Sequence, residues 1–489
     1  MQDVTSNPTR AILTGATALF CARVAMQAVA VVRIAVIARF LGVSDFGRYA
    51  FALSVILLFF ILAELGLPSV LIREGARDKT RIPVLLRSAL MIRAPILFFI
   101  VVACALVFSL AGSDRDMIYG VALLGIGFGL SSLAGLFLSG LRALQKMGVI
   151  AVFQTARELG TLALISAALV YGYGIAGLCA ALAFAGMLTL LASMILYRRY
   201  VGPLPLSRRE GRVAYLAREG LPAAVTVMVH DLLINLSIAI LMMVRGKDDV
   251  AFLSAALRFV NLFRFVPASY QEAVYPVLSG LFEASKNAWR KTLTRSLEIL
   301  IALGLLLAVL IGLLCGEAIE LIYGGSFEPA ANALFILSPS ILFLFVSSLT
   351  YPFFVSANRQ RLGMLLSGGG LAITALAVIL LSLKGGYKGC AAGITIGEGL
   401  LCAVALVVLW RMKACPDLGL FLIKALTAGA VLSGIAWGFD GIHLLPRAAL
   451  GTAVYVAVLF LLKGFTVIEV RRLIEISFKK SHSDESTRR

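Results

Sequence analysis

The chain has 489 residues, 60% of them hydrophobic and 14% charged, against roughly 25% charged in an ordinary soluble domain. Its mean hydropathy of +0.97 leaves too little polar surface to cover a water-exposed fold, which excludes the soluble classes. The formal charge of +18 has a bland cause, because Lys and Arg collect in loops on one side of a membrane. With no soluble basic domain to bind it, nucleic acid is not an expected partner. The expected fold class is an all-α polytopic membrane protein.

Apolar blocks of about 20 residues, enough to cross a ~30 Å hydrocarbon layer as a helix, predict fourteen spans. In chain order they cover 12–39, 47–72, 84–110, 117–141, 149–170, 174–197, 215–244, 250–282, 296–315, 330–356, 362–383, 387–409, 418–438 and 445–463. Kinks are expected at Pro68, Pro95, Pro222, Pro267, Pro276, Pro339 and Pro352. Loop charge tests the parity of this division. About 29 Lys and Arg lie in the N-terminus, the even-numbered loops and the C-terminus, against about 8 in the odd-numbered loops. That asymmetry places both termini in the cytoplasm.

No connection is long enough to form a soluble domain. The segment around Pro203-Leu204-Pro205 reads as a linker. After the last span, Val467 to Glu475 is amphipathic and basic, as expected of a helix lying on the inner leaflet, and His482 to Arg489 reads as disordered. The seven cysteines show no paired spacing, and six of them (Cys21, Cys104, Cys179, Cys315, Cys390 and Cys402) lie in apolar blocks. They are expected to be small buried hydrophobes rather than disulfides or metal ligands. The short polar N-terminus leads into an apolar block without a small-residue cleavage site, so no signal peptide is expected.

The two halves resemble each other at a nearly constant offset of about 204–215 residues. Asp45-Phe46-Gly47 entering span 2 matches Asp249-Val250-Ala251 entering span 8. Gln145-Lys146-Met147-Gly148 matches Gln360-Arg361-Leu362-Gly363. Gly177 and Gly389 open spans 6 and 12, and Arg199 and Arg411 close them. A six-span repeat keeps both copies in one orientation, with a pseudo-two-fold along the membrane normal. The expected division is a first lobe over 1–200, a linker over 201–214, a second lobe over 215–412, two added spans over 413–465 and a cytoplasmic tail over 466–489.

Three further stretches are family-like. The run Phe40-Leu41-Gly42-Val43-Ser44-Asp45-Phe46-Gly47-Arg48-Tyr49-Ala50, with Ala63-Glu64-Leu65-Gly66-Leu67 and Arg73-Glu74, resembles the N-terminal signature of the polysaccharide transporter family. These are the Wzx-like flippases for lipid-linked oligosaccharide, within the multidrug/oligosaccharidyl-lipid/polysaccharide exporter (MOP) superfamily. Tyr275-Pro276-Val277-Leu278-Ser279 and Ile322-Tyr323-Gly324-Gly325-Ser326-Phe327-Glu328-Pro329-Ala330 are similar to its later patterns. The resemblance implies a non-enzymatic flippase of the bacterial cytoplasmic (inner) membrane. Its cargo would be an undecaprenyl-pyrophosphate-linked glycan, and its further partners a polysaccharide polymerase and other export machinery. There is one departure. Family members often carry an Asp in span 7 near the position of Ser237, whereas here Asp231 and Asn235 precede it.

Ionisable groups inside a span cost about 2.5–3.5 kcal/mol at mid-membrane and need a reason to be there. In span 1, Arg23, Gln27, Ala30 and Arg33 fall on one helical face; in span 8, Ser254, Arg258, Asn261, Arg264 and Ala268 do the same. Arg23, Arg33, Arg258, Asn261 and Arg264 are the candidates for binding a pyrophosphate, since the guanidinium fork donates two parallel hydrogen bonds to phosphate oxygens. The alternatives are snorkelling for Arg33 and structural pairing with Asp231 or Glu272 for the span 8 arginines. Glu64, expected to balance Arg23, and His230, Asp231 and Glu272 are the candidates for charge balance or ion coupling. Arg157-Glu158 in span 5 is ambiguous. The sequence contains no HExxH, GxSxG or Walker-type motif, so neither catalytic nor metal-binding residues nor a cofactor are expected, and H⁺ or Na⁺ are the candidate coupling ions. The competing readings are a multidrug exporter of the same superfamily, which would want free acids in its cavity, and a membrane glycan polymerase or ligase, which would want a large external loop.

Overall fold

The computed structural model describes residues 8–110, 112, 114–204, 231–349, 353–354, 360–412, 418–437 and 444–462. Every regular element among them is helical. In chain order they are α1 (Pro8–Glu64), α2 (Leu67–Arg77), α3 (Ile82–Leu110), α4 (Arg115–Ala143), α5 (Met147–Val170), α6 (Gly174–Tyr200), α7 (231–245), α8 (Lys247–Leu262), α9 (Phe265–Ala284), α10 (Lys286–Leu313), α11 (Cys315–Tyr323), α12 (Pro329–Ser347), α13 (Gln360–Arg411), α14 (Leu418–Trp437) and α15 (Leu444–Leu461). Among the described residues, nine stretches are long and apolar enough to cross a membrane. Two of them, Arg23–Ile61 and Gly368–Arg411, each hold two spans joined at a kink. With the shorter apolar helices Leu418–Gly434 and Pro446–Leu461 and the described part of span 7, they account for all fourteen expected spans.

The turns at the end carrying the odd-numbered, charge-poor connections show why so little chain is needed there. α1 passes from span 1 to span 2 through Gly42 (φ 70°, ψ 178°), and α7 passes to α8 through Gly246 (φ 92°, ψ −169°). Side chains exclude this region of backbone space, so a single glycine reverses the helix direction. Gly174 (φ 55°), the first residue of α6, and Gly386 (φ 56°), inside α13, also take positive φ at the turns of this end. Both glycine pairs fall at the spacing of the sequence repeat.

Several boundaries differ from the sequence reading. Span 2 does not continue to residue 72. It stops at Leu65-Gly66, both at positive φ, and α2 restarts with Pro68 in its first turn, where proline lacks no needed N–H. Span 8 is two helices, α8 and α9, broken at Phe263-Arg264. Residues 316–327, expected as a loop, fall in α11 and a 3₁₀ turn. Pro95 and Pro339 lie inside α3 and α12, and Pro267 opens α9. Pro222, Pro352, the linker between residues 205 and 214, and the C-terminal tail lie outside the described residues.

Close helix crossings depend on small residues, as expected where lipid supplies no hydrophobic drive for association. A Cβ on Gly186 of α6 would lie 2.4 Å from the carbonyl oxygen of Gly127 in α4. On Gly304 of α10 it would lie 3.0 Å from the Cβ of Phe345 in α12. α14 and α15 pack on α10, where the Tyr455 hydroxyl donates to the Ala302 carbonyl at 3.0 Å. Cys104, Cys179, Cys390 and Cys402 are buried free thiols, and Cys315 is partly exposed. In the charge-rich loop after α2, the Thr80 hydroxyl (2.6 Å) and amide (3.0 Å) both donate to Asp78, which holds its carboxyl below the usual carboxylate range.

At the charge-poor end the two halves of the chain are in backbone contact. A Cβ on Gly47 would meet the carbonyl oxygen of Lys247 at 2.0 Å. Beside it, the rings of Phe46, Tyr323 and Phe327 stack edge to face or tilted at centroid distances of 5.4–6.2 Å and are almost fully buried. Arg39 donates to the terminal carbonyls of α11, Leu321 and Ile322. This end is therefore plugged by packed apolar rings and a guanidinium bound to helix-end carbonyls.

Candidate functional site: a central cationic cavity

Below this plug, α1, α4, α5 and α6 of the N-terminal half and α8 and α11 of the C-terminal half enclose a cavity of about 470 Å³, within the usual ligand-pocket range of roughly 300–1,000 Å³. α1 supplies Gln27, Ala30 and Arg33 at three-residue spacing, and α8 supplies Arg258 and Asn261 at the same spacing, so each helix turns one polar face inward. α5 adds Arg157, Glu158 and Thr161; Ser131, Thr189, Tyr49 and Tyr323 complete the polar lining among the described residues. Three arginines face a single glutamate, a formal balance of +2.

The arginines differ in their partners. Glu158 is clamped between Arg33 at 2.6 Å and Arg157 at 2.5 Å, one carboxylate oxygen to each. Arg258 makes no hydrogen bond or ion pair among the described residues, and its charge reaches the buried hydroxyls of Tyr49 and Tyr323. It is the cation in this cavity that no acid has claimed. Desolvating a guanidinium beside two tyrosines without an anion is costly unless a ligand or water supplies one.

The other candidates lie apart. Arg23 does not line the cavity. It reaches across to α9, donating to Ser269 at 2.8 Å and pairing with Glu272 at 3.0 Å. Its observed acidic partner is thus Glu272. Only the backbone of Glu64 is described; its side chain, like the whole of His230, lies outside the described residues. Arg264, at the α8–α9 break, pairs with Asp231 at 2.5 Å. The Arg23–Glu272 pair and the Gln27 side chain, which donates to the Leu262 carbonyl at 3.1 Å, are thin links between the halves toward the charge-rich end. The side chain of Glu272 is 65% exposed, unlike the dry aromatic plug opposite.

In the sequence, Arg157 and Glu158 are ambiguous, and nothing singles out Tyr49, Tyr323 or Arg142 for the site. Arg157 and Glu158 are adjacent, about 100° apart on a helix, and both still line the cavity. Tyr49 and Tyr323 enter the sequence reading only as parts of the family-like stretches. Arg142, assigned to a loop, ends α4 within electrostatic reach of Arg23, Arg157 and Glu272.

The profile of the family described as "Polysaccharide biosynthesis protein" matches residues 12–282. No curated protein matches the chain. Among solved structures, the lipid II flippase MurJ in an inward closed conformation aligns over 92% of this chain and 98% of its own length, at 14% identity and a TM-score of 0.73. An inward-facing multidrug resistance MATE family transporter of the MOP superfamily covers 79% and 94%, at 15% identity and 0.66. A MOP superfamily transporter from Pyrococcus furiosus, described as having a binding pocket of reverse polarity, covers 83% and 96%, at 15% identity and 0.59. At these identities the likeness is one of fold.

Proposed function

From membership of the polysaccharide biosynthesis protein family, to which this chain belongs, we propose that it is a flippase moving an undecaprenyl-pyrophosphate-linked oligosaccharide from the cytoplasmic to the periplasmic leaflet. The observation that carries this reading is the cationic cavity with its unpaired Arg258. A pyrophosphate esterified at both ends bears one negative charge on each phosphorus, which matches the formal +2 of the lining. Glu158 can release one of its two arginines to a phosphate while keeping the other, so the site can grip an anion without stranding a buried acid.

The cycle proposed is alternating access, with the lobes at 1–200 and 215–412 rocking about the cavity. The charge-poor end is plugged, and among the described residues the links across the charge-rich end are the exposed Arg23–Glu272 pair and the Gln27–Leu262 hydrogen bond, which suits loading from the charge-rich side. That side is proposed to be cytoplasmic, with both termini there. H⁺, Na⁺ or consumption of the product downstream would drive the cycle. The shared MATE fold keeps a multidrug exporter in view, but such a carrier of cations would be poorly served by a cavity whose one acid is already held by two arginines.

Two experiments test this. Deletion of the gene should make an undecaprenyl-pyrophosphate-linked glycan accumulate on the cytoplasmic leaflet, identifiable by mass spectrometry of extracted lipid; an unchanged lipid pool with altered drug resistance would reject the flippase. For orientation, single cysteines at Ser207 and Ser285 in a cysteine-free background should resist a membrane-impermeant thiol reagent in whole cells, while one at Ser326 should react. Labelling at position 207 would invert the assignment.

A further inference from the structure

Beside the central cavity lies a second chamber of about 310 Å³, bounded by the second arm of α1, α7 and α8. It shares Leu53, Arg258 and Asn261 with the central cavity, so these residues stand between the two compartments, Arg258 and Asn261 being the polar ones. The rest of its polar lining is Ser54, Asp231, Asn235 and Ser254, among leucines and isoleucines.

These groups hold unused hydrogen-bonding capacity. The Ser254 hydroxyl is buried with no partner among the described residues, in a residue only 2% exposed, a position that costs free energy unless something occupies it. Asn235 uses its amide NH₂ on the Asp231 carbonyl at 2.7 Å, leaving its own side-chain oxygen to accept. Ser54 donates to Phe51 at 2.7 Å and keeps its lone pairs. Asp231 commits one carboxylate oxygen to Arg264, and the other accepts nothing among the described residues.

Charge limits the occupant. A free cation would sit against Arg258, with its one carboxylate already neutralised by Arg264. An anion would face Asp231. A neutral molecule rich in hydroxyls meets both donors and acceptors without a charge penalty. The volume lies at the small end of the ligand-pocket range, which suits one ring rather than a chain.

We propose that this chamber is a carbohydrate subsite, taking the uncharged hexose attached directly to the pyrophosphate while Arg258 holds the phosphate at its mouth. The assignment rests on the flippase reading above and adds to it that selection acts on the first sugar. Later sugars extend into the larger cavity.

The test uses the purified full-length transporter and two probes: a prenyl pyrophosphate with no sugar, and the same lipid carrying one hexose. The wild type should bind the hexose-bearing lipid about tenfold more tightly, the worth of one or two well-placed hydrogen bonds. Ser254→Ala, which removes the orphan hydroxyl with little change in volume, should erase most of that preference and leave affinity for the bare lipid unchanged. Asn235→Leu, which fills the chamber with an apolar group, should do the same. Equal wild-type affinity for the two lipids overturns the subsite, as does a parallel loss for both lipids in Ser254→Ala. Failure of the wild type to bind either lipid overturns the flippase reading itself.

Discussion

Arg258→Glu should abolish glycan export while the protein still inserts into the membrane. Among the described residues Arg258 is the lining cation without an acidic partner, so its removal strands no described carboxylate, and abundance should stay near wild type. A charge-assisted hydrogen bond contributes roughly 1.5–3 kcal/mol, so Arg258→Ala should weaken substrate binding by about ten- to a hundredfold. Arg258→Lys keeps the charge but loses the two-pronged fork and should fall between wild type and alanine. Glutamate sets an anion against an anion and should be worst. The contrast is Arg264→Ala, which leaves Asp231 without its partner and should lower abundance first, with Asp231→Asn in the same chain restoring it. The measurement is export per membrane-inserted molecule for each variant. Normal export per molecule in Arg258→Ala would remove the anion site from α8.

Gly47→Val should trap the transporter open toward the charge-poor side. The glycine places α1 directly against the backbone of Lys247, where a Cβ would lie 2.0 Å from a carbonyl oxygen. Backbone cannot rotate away as a side chain can, so the two halves must separate. Overpacking of this kind costs about 1–3 kcal/mol, and here the cost falls on the plugged state alone. A difference of about 3 kcal/mol shifts a two-state population by more than a hundredfold. Thr161 lines the cavity beneath the plug, so a cysteine placed there reports its access. An impermeant thiol reagent added outside the cell should label it weakly in the otherwise wild-type chain and strongly with Gly47→Val, and export should fall together with the gain in labelling. A shielded Thr161→Cys with normal export in the Gly47→Val background would show that this contact does not gate the cavity.

Both predictions concern residues that the sequence made visible for other reasons. Gly47 stands out in the sequence as part of the repeated run that enters spans 2 and 8, and Arg258 as one of several arginines on polar helical faces. The faces themselves were legible: Gln27, Ala30 and Arg33 on α1 and Arg258 and Asn261 on α8 do converge on one cavity. Which arginines were already spoken for was not. Arg23 meets Glu272 across about 249 residues of chain, Arg33 meets Glu158 across about 125, and Arg264 meets Asp231 across about 33. Periodicity on one helix carries no information about the acid on another.

The sequence by itself determined the class of fold, the fourteen spans, the parity of their loops and the twofold internal repeat. These follow from composition, from the length needed to cross hydrocarbon and from the α-helical period, all of which are local properties of the chain. The turn glycines at Gly42 and Gly246 emerge only from the structure, where the backbone reverses at positive φ in a region that admits no side chain. Tertiary structure alone decided the break of span 8 into α8 and α9, the plug of Phe46, Tyr323 and Phe327, and the sorting of four span arginines into three that pair with acids and one, Arg258, that does not. The physical reason is that a buried charge is settled by its nearest opposite charge in space, and that neighbour is chosen by how helices distant in sequence pack together.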